Sequence, residues 1–289
     1  MSTRDDDLTT REDPDRVFYA TGVFLDAEDL AAEQRYHRGR LARALGYLHG
    51  PGTVAGLRVD WDGASEELRV QPGVAVDRLG RLVEVPRRAC VHLLDWLEQQ
   101  RQEALAGPSD VTHPIVLAVS PDGTALQVDV FLRFAVCERG RTPAFATGPY
   151  DAIDASQPNR LRDSYELALE LRGFDAPTPS NPWPSRGAGQ PLDAFLGDLQ
   201  DYVLDQAWLH GADWPGGELP YDAGTSGAGD PTSVFLARVT VPVALDGDGL
   251  PAWTRTAGAL DPAVPDNHLR SFSLGGPALA RWIEAAATP

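Results

Sequence analysis

Residues 53–85 read TVAGLRVDWDGASEELRVQPGVAVDRLGRLVEV, in which short apolar runs alternate with turn-forming residues. Turns are indicated by the Asp-Gly pair at 62–63 and by residues 78–80, because aspartate and glycine adopt turn conformations readily. Short runs separated in this way are typical of strands joined by tight turns. This stretch therefore predicts an antiparallel meander.

A helix is predicted immediately before this stretch. Asp26 can accept hydrogen bonds from the free N–H groups of a helix that begins at Ala27, and the Gly-Pro-Gly sequence at 50–52 ends it. One face of the helix carries a mostly apolar stripe, because its members recur at helical spacing. The stripe consists of Leu30, His37, Leu41, Leu45 and Leu48. We expect the stripe to be buried, either inside the chain or at an interface between subunits.

Further helices and strands are predicted along the rest of the chain. Helices are indicated at 93–106, 161–172, 191–210 and 277–287. β-Branched residues indicate a hairpin of 115–119 with 126–136, and a strand at 234–243. Prolines and glycines indicate loops at 173–191 and 211–232. Together these elements predict a sheet-rich α+β fold with antiparallel meander units, the N-terminal capped helix and several further helices.

The chain is long enough for more than one folded unit. Its 289 residues correspond to one large or two small domains at roughly 150 residues each. We predict a mixed first unit at 17–140 and a second unit with long Gly/Pro-rich loops at 141–289. Residues 1–16 contain five aspartates, one glutamate and few apolar residues, so we expect an acidic tail that is disordered or ordered by a partner.

The charge of the chain excludes several classes of function. All 25 basic side chains are arginines, and with 42 acidic side chains they give a net charge of −17. This charge disfavours binding to nucleic acid or to anionic lipid. The absence of lysine excludes Schiff-base chemistry, a P-loop lysine and a lysine general base. We therefore predict no nucleic-acid partner and no integral membrane contact.

Cysteine content and targeting signals favour a cytoplasmic protein. Cys90 and Cys137 are too few for a thiolate zinc cluster or a disulfide scaffold. The N-terminus lacks the basic start and apolar core of a secretory signal, and no run of about 18 apolar residues occurs. We therefore expect the protein in the cytoplasm.

Short motifs that carry chemistry in other proteins occur here in the wrong context. Residues 50–55 (GPGTVA) match a dinucleotide fingerprint, but a helix precedes them and a strand follows, which reverses the required order. Residues 224–228 (GTSGA) miss the nucleophile elbow at their last position. The six histidines include no HExxH pair. The sequence therefore predicts no catalytic residue, no cofactor and no metal site.

Two alternatives that use carboxylates stay open. Asp246 and Asp248 alternate with glycines as in a calcium loop, but the distal glutamate is absent, which favours a hairpin turn. Among 42 acidic side chains, one pair can reach the separation that glycoside hydrolysis requires. A carboxylate-based hydrolase is therefore an alternative function.

Tryptophans in and beside the polar loops are candidates for binding a partner. Trp183, Trp214 and Trp253 occupy or flank these loops. An indole ring offers a large apolar area and a polar N–H group, which suits recognition of a sugar or a protein. We predict these three as candidate partner-binding residues, with the packing of loops onto a core as the alternative.

Several blocks of the sequence form a pattern through their order and spacing. The first block consists of residues 19–25 (YATGVFL), Asp29, 33–36 (EQRY) and 48–59 (LHGPGTVAGLRV). Later blocks are 70–81 (VQPGVAVDRLGR), 134–138 (FAVCE), 158–165 (PNRLRDSY) and 234–239 (VFLARV). Together these blocks resemble a family of bacterial proteins encoded with phage-tail-like contractile injection systems.

The resemblance implies a structural role in the particle, in its baseplate or in a peripheral fibre or adaptor. The partners would then be other subunits of the particle, in a homo- or hetero-oligomer. A carbohydrate- or receptor-binding module of the same particle is an alternative. This family role requires no catalysis, so we expect that the protein is not an enzyme.

Overall fold

A computed structural model describes most of the chain. The described residues are 2–3, 15–108, 112–143, 156–174, 176, 186–205 and 232–286. They form helices together with antiparallel sheets, which confirms the predicted α+β class.

The bounds of the helices and strands in the described residues are as follows. The helices are α1 (Ala27–His49), α2 (Leu93–Ala106), α3 (Pro114–Leu117), α4 (Leu192–Asp205) and α5 (Gly276–Ala286). The strands are β1 (Ser2–Thr3), β2 (Gly52–Gly56), β3 (Val59–Asp62), β4 (Glu67–Val70), β5 (Gly73–Val76), β6 (Leu82–Val85), β7 (Ala89–His92), β8 (Ala125–Arg139), β9 (Thr142–Pro143), β10 (Ser156–Gln157), β11 (Arg160–Leu171), β12 (Val234–Leu245), β13 (Pro251–Trp253), β14 (Arg255–Thr256), β15 (Ala259–Leu260) and β16 (Val264–Asp266).

The predicted meander forms two three-stranded antiparallel sheets rather than one. The first sheet has the order β2-β5-β6 and the second has the order β3-β4-β7. The chain passes from the first sheet to the second at Leu57, which is buried and takes a φ of 58°. The antiparallel pairing that the sequence predicts is confirmed for all of these strands.

A larger sheet is built around β8, which is 15 residues long. β11 pairs antiparallel with one edge of β8 from Arg160 opposite Arg139 to Leu171 opposite Val128. β12 pairs with the other edge of β8, and β13 and β16 pair with β12. Because β8 precedes residue 140 and both of its long partners follow it, this sheet crosses the predicted boundary between units.

The two small sheets and the larger sheet share a hydrophobic core. Buried residues of the small sheets, such as Leu68 and Val83, belong to one cluster with Leu132 and Val239 of the larger sheet. α2 adds Leu97 to the same cluster. The described residues on both sides of position 140 are therefore held together by continuous apolar packing.

The prediction of a helix at 161–172 is wrong, because these residues form β11. Tyr165, Leu167, Leu169 and Leu171 alternate with polar or small residues and pack against the core from one face of the strand. This spacing of two is the signal for a strand. The continuous ladder with β8 decides the conformation.

The prediction of a strand at 115–119 is also wrong. Residues 114–117 form the one-turn helix α3, with Pro114 at its first position and the His113 ring nitrogen accepting the Ile115 N–H at 3.2 Å. Only an isolated bridge between Val119 and Leu126 resembles the predicted hairpin. Proline at the first helical position favours a helix start over a strand.

The other predicted elements occur close to their predicted positions. The predictions for α1, α2, β12 and α5 are confirmed. For α4 the structure describes Leu192–Asp205, and residues 206–210 of the predicted helix lie outside the described residues. Ser2 and Thr3 of the predicted tail form β1 against β8. Residues 4–14 of the tail and most of the two predicted loops also lie outside the described residues.

α1 contacts the rest of the chain through small residues. Ala42 is the buried residue of α1, and a Cβ placed on Gly80 would lie 1.7 Å from the Ala42 carbonyl oxygen. Ala42 follows Leu41 in the chain, so it points about 100° away from the apolar stripe. Leu30, Leu41 and Leu48 are exposed. The prediction that the stripe is buried inside the chain is therefore wrong. The alternative, that the stripe is buried at an interface between subunits, stays a prediction.

We expect Gly80→Ala to destabilise the fold by about 1–3 kcal/mol more than Gly258→Ala does. Both glycines have a positive φ, 82° and 88°, so both variants have a similar backbone strain. An added Cβ meets nothing within 4 Å at Gly258, whereas at Gly80 it overlaps α1. Urea unfolding followed by circular dichroism measures the difference, and equal losses for the two variants would contradict this packing of α1.

Candidate interaction surface

Large apolar side chains are exposed along the N-terminal part of the described chain. Phe24 is 97% exposed, Phe18 and Leu48 are each 78% exposed, and Leu41 is 58% exposed. We call this set the N-terminal apolar surface. It comprises Phe18, Tyr19, Val23, Phe24 and Leu25 before α1, and Leu30, Leu41 and Leu48 on α1.

Hydrogen bonds hold both ends of the helix that carries this surface. The Asp26 carboxylate accepts the N–H groups of Glu28 and Asp29 at 2.8 and 3.1 Å, and the Asp29 carboxylate accepts the Asp26 N–H at 3.0 Å. This capping box confirms the predicted helix start. At the other end, the Ser273 hydroxyl donates to the His49 carbonyl at 3.2 Å. The stripe is therefore displayed from a helix that is held at both ends.

A pocket of about 140 Å³ lies between α1 and the sheets. Leu41 and Leu45 line it from α1, and Leu82 and Phe134 line it from β6 and β8. The Arg81 guanidinium lies 4.5 Å from the centre of the Phe134 ring, a cation–π contact. The pocket continues the apolar stripe towards the sheets, because Leu41 belongs to both.

A buried group of charges joins the three long strands of the larger sheet. Asp129 of β8 is fully buried and accepts hydrogen bonds from Arg238 Nε at 2.8 Å and Arg238 Nη2 at 3.0 Å. Arg172, which follows β11, donates from its Nε to the same carboxylate at 3.1 Å. Arg133 extends the group through an ion pair with Glu170 and a hydrogen bond to Ser233. These contacts link β8 to β12 and to the residue that follows β11.

A polar cluster lies at the turn between β3 and β4 of the second small sheet. The Ser65 hydroxyl lies 2.8 Å from Asp62 Oδ2 and 3.0 Å from Glu67 Oε2. Hydrogen bonds from this hydroxyl lower the pKa of both carboxyls. Arg69 forms ion pairs with the same two carboxylates, and His92 Nε2 lies 3.5 Å from Glu67 Oε1. The cluster therefore links the turn to the neighbouring strands.

Asp246 lies in a hairpin turn between β12 and β13, as predicted. Its Oδ1 accepts the N–H groups of Asp248 and Leu250, each at 3.0 Å, and its other oxygen pairs with Arg101. The hydrogen bond from Leu250 lowers the pKa of this carboxyl, with the Asp248 N–H and Arg101 adding to the effect. The hydrogen bonds of this carboxylate therefore stabilise the turn.

Among the described residues, no group of three or more His, Cys, Asp or Glu side chains is arranged to hold a metal ion.

Of the three tryptophan candidates, the structure describes Trp253. Trp253 is 8% exposed, packs on Trp61 at 5.0 Å between ring centres, and donates its indole N–H to the Asp261 carbonyl at 2.8 Å. Trp253 is therefore a core residue, and its prediction as an exposed partner-binding residue is corrected by this packing. Trp183, Trp214 and the 224–228 motif lie outside the described residues.

The tryptophan prediction missed the exposed side chains before α1. Phe18 and Phe24 belong to a short apolar run at 17–25, directly before the cap of α1. That run was the sequence signal for the N-terminal apolar surface.

Among the helices of the described residues, none is both long and apolar enough to span a bilayer.

We expect Asp129→Asn to cost about 3–5 kcal/mol of folding free energy, because it leaves two arginines buried without their shared counter-charge. Asp60→Asn is the control, since Asp60 pairs with the exposed Arg58 at 2.9 Å and such a pair contributes about 1 kcal/mol or less. Denaturant unfolding at neutral pH measures both. A loss for Asp129→Asn as small as that of the control would argue against the buried charge group.

We expect the stabilising effect of the Asp246 carboxylate to depend on pH. Because its pKa is lowered in the folded chain, its contribution is present above the ordinary aspartate range and is lost as the pH falls through the lowered value. Asp246→Asn should therefore destabilise the chain at about pH 6 and much less at about pH 2.5. Urea midpoints measure this, with Asp248→Asn as the control. A loss that does not change with pH would contradict the ionic role.

Comparison with protein-family models and with curated proteins found no match. The resemblance to proteins of contractile injection systems therefore stays a prediction from the sequence blocks.

Proposed function

We propose that this chain is a structural subunit of a phage-tail-like contractile injection particle, in its baseplate, a fibre or an adaptor. It acts by binding other subunits and carries out no catalysis. The observation that carries the proposal is the N-terminal apolar surface. Five of its eight members belong to the first block of the family resemblance, namely Tyr19, Val23, Phe24, Leu25 and Leu48.

The energetics of exposed apolar side chains support a binding role. Burial of one Phe or Leu side chain is worth about 1.5–3 kcal/mol, so the exposed set would release substantial free energy on contact with a partner. Single exposed apolar residues are ordinary on protein surfaces, whereas eight large ones occur here within residues 18–48. A partner that covers this surface is the simplest physical account of it.

The rigidity of the support also favours assembly. The first turn of α1 is capped by its own residues, its last residue is hydrogen-bonded to Ser273, and its middle packs directly on Gly80. A surface that is already ordered loses little conformational entropy when it binds. In a particle built from repeated contacts, such a preformed surface suits a permanent interface.

The setting of the proposed role is the cytoplasm of the producing cell, where the subunit joins its particle. The net charge of −17 favours a protein partner over nucleic acid or anionic lipid. The burial of Trp253 leaves the alternative of a sugar- or receptor-binding module without support from that residue.

We expect Leu41→Glu to reduce incorporation of this chain into particles at least about tenfold, which corresponds to about 1.4 kcal/mol of lost binding. Leu105→Glu is the matched control, because Leu105 on α2 is 53% exposed, close to the 58% of Leu41. Particles are purified from the native host by sedimentation, checked by electron microscopy, and the subunit is quantified by mass spectrometry. Equal incorporation of both variants would speak against the proposed function.

A further inference from the structure

We infer that an exposed group of arginines, where β8 ends and β11 begins, binds an extended acidic segment of another polypeptide. We call this group the arginine cluster; it consists of Arg139, Arg141, Arg160 and Arg162. It is a second interaction surface, so the inference goes beyond the proposed function, which rests on the N-terminal apolar surface.

The pairing of β8 with β11 brings the cluster together. Arg160 lies directly opposite Arg139, and Arg162 lies two residues further along β11. Because side chains alternate between the two faces of a strand, these three arginines project from one face of the hairpin. β9 and β10 continue the hairpin in the same register, and Arg141 lies between the two paired stretches. Positive charge is therefore concentrated on one face of a two-stranded ribbon.

The acidic residues at this end of the hairpin lie on its other face. Glu138 and Asp163 alternate with the arginines along β8 and β11. Asp163 lines the pocket between α1 and the sheets, so its face of the hairpin is the one turned towards α1. The arginines therefore project away from α1, and the two signs of charge are separated by the pleat of the strands.

No described part of the chain neutralises the cluster. Its four side chains are exposed, and within the described ranges none of them takes part in an ion pair. Further along the same face of β8, in contrast, Arg133 pairs with Glu170. Like charges directly opposite each other on a sheet are destabilising, so the facing Arg139 and Arg160 oppose their own ladder. Counter-charges from another molecule would remove this repulsion.

An extended acidic segment matches the cluster in spacing and in chemistry. Side chains at alternate positions of an extended chain repeat at about 6.6 Å, which is the repeat of Arg160 and Arg162 along β11. Carboxylates at alternate positions of the partner can therefore follow the arginines. Guanidinium groups pair with carboxylates through two parallel hydrogen bonds, and such charge-assisted bonds are among the stronger ones in proteins.

The charge of the whole chain favours a short acidic segment over nucleic acid. A duplex is long and stiff, so it would bring further phosphates towards a chain whose net charge is −17. At physiological ionic strength the screening length is about 8 Å, so a short segment seated on the cluster is attracted by its arginines and is screened from most other charges. The partner that fits is therefore a stretch of polypeptide with alternating acidic residues.

The test is the binding of a fluorescein-labelled peptide of alternating glutamate and serine to the full chain, measured by fluorescence anisotropy. We expect binding at low ionic strength that weakens as salt is added. The double variant Arg160→Gln/Arg162→Gln should bind the peptide about tenfold more weakly, because two charge-assisted pairs are lost. Failure of the natural chain to bind the peptide at low ionic strength would overturn the inference.

The matched control is the double variant Arg87→Gln/Arg88→Gln. Arg87 and Arg88 are also exposed and lie between β6 and β7, so the control removes the same charge from another place. Its affinity for the peptide should equal that of the natural chain. Equal weakening by both double variants would show attraction to the chain in general and would overturn the assignment to the cluster. Circular dichroism and urea unfolding establish that all variants fold.

Reversal of charge tests the recognition in the opposite sense. Arg160→Glu/Arg162→Glu should lose the glutamate peptide and bind a labelled peptide of alternating arginine and serine. A labelled single-stranded oligonucleotide serves as the competing ligand. Tighter binding of the oligonucleotide than of the glutamate peptide, lost on reversal of the cluster, would overturn the acidic polypeptide as the partner.

The outcomes separate this inference from the proposed function. Peptide binding is measured on the isolated chain, whereas the proposed function is tested by incorporation of Leu41→Glu into particles. A chain that ignores the peptide but depends on Leu41 for incorporation keeps the proposed function and overturns the acidic partner. A chain that binds the peptide through the arginine cluster, but whose incorporation is indifferent to Leu41→Glu, supports the inference and overturns the proposed function.

Discussion

The architecture depends on the burial of β8 on both of its faces. One face carries the apolar residues of the shared core, and the other carries Asp129 and Arg133. Burial of these charges is tolerable because Arg172 and Arg238, from both neighbouring strands, reach the same Asp129 carboxylate. Unpaired, a charge at this depth would cost several kcal/mol. The ion group therefore ties β8 to Arg238 of β12 and to Arg172, the residue that follows β11, while the apolar face supplies most of the stabilisation.

This central sheet also determines how α1 is held and what α1 exposes. β6 contacts both β8 and β11, and the turn before β6 carries Gly80 against the α1 backbone. The approach is close because Ala42, Gly46 and Gly80 are small. A helix attached along its small residues keeps its large apolar side chains on a different face. The same contact that fastens α1 therefore leaves Leu41 and Leu48 exposed.

The fold was predictable where local signals were strong, and much less so where distant contacts decide. Asp26 and the turn glycines mark α1 and the small strands by their own chemistry, and those elements are confirmed. β11 was misassigned because its alternation of Tyr165, Leu167 and Leu169 is short, and the ladder with β8 outweighs local preference. Trp253 sits beside a polar loop in sequence, yet Trp61, distant in the chain, buries it. For α1, the sequence predicts only that the apolar stripe is buried. It does not predict which surface covers the stripe, because the spacing of apolar residues does not identify their partner.

The apolar face of an amphipathic helix normally packs on the core of its own chain. In α1 the apolar stripe and the face that packs on the chain are different faces. The small residues of α1 contact the rest of the chain, whereas Leu30, Leu41 and Leu48 are exposed. Replacement of Leu41 should therefore affect association more than folding, whereas replacement of Gly80 should affect folding first. When folding and association depend on different faces of one helix, an interface can bind tightly although the single chain is stable without it. In the proposed role the chain would fold before it assembles, and its apolar surface would be covered only once a partner is present.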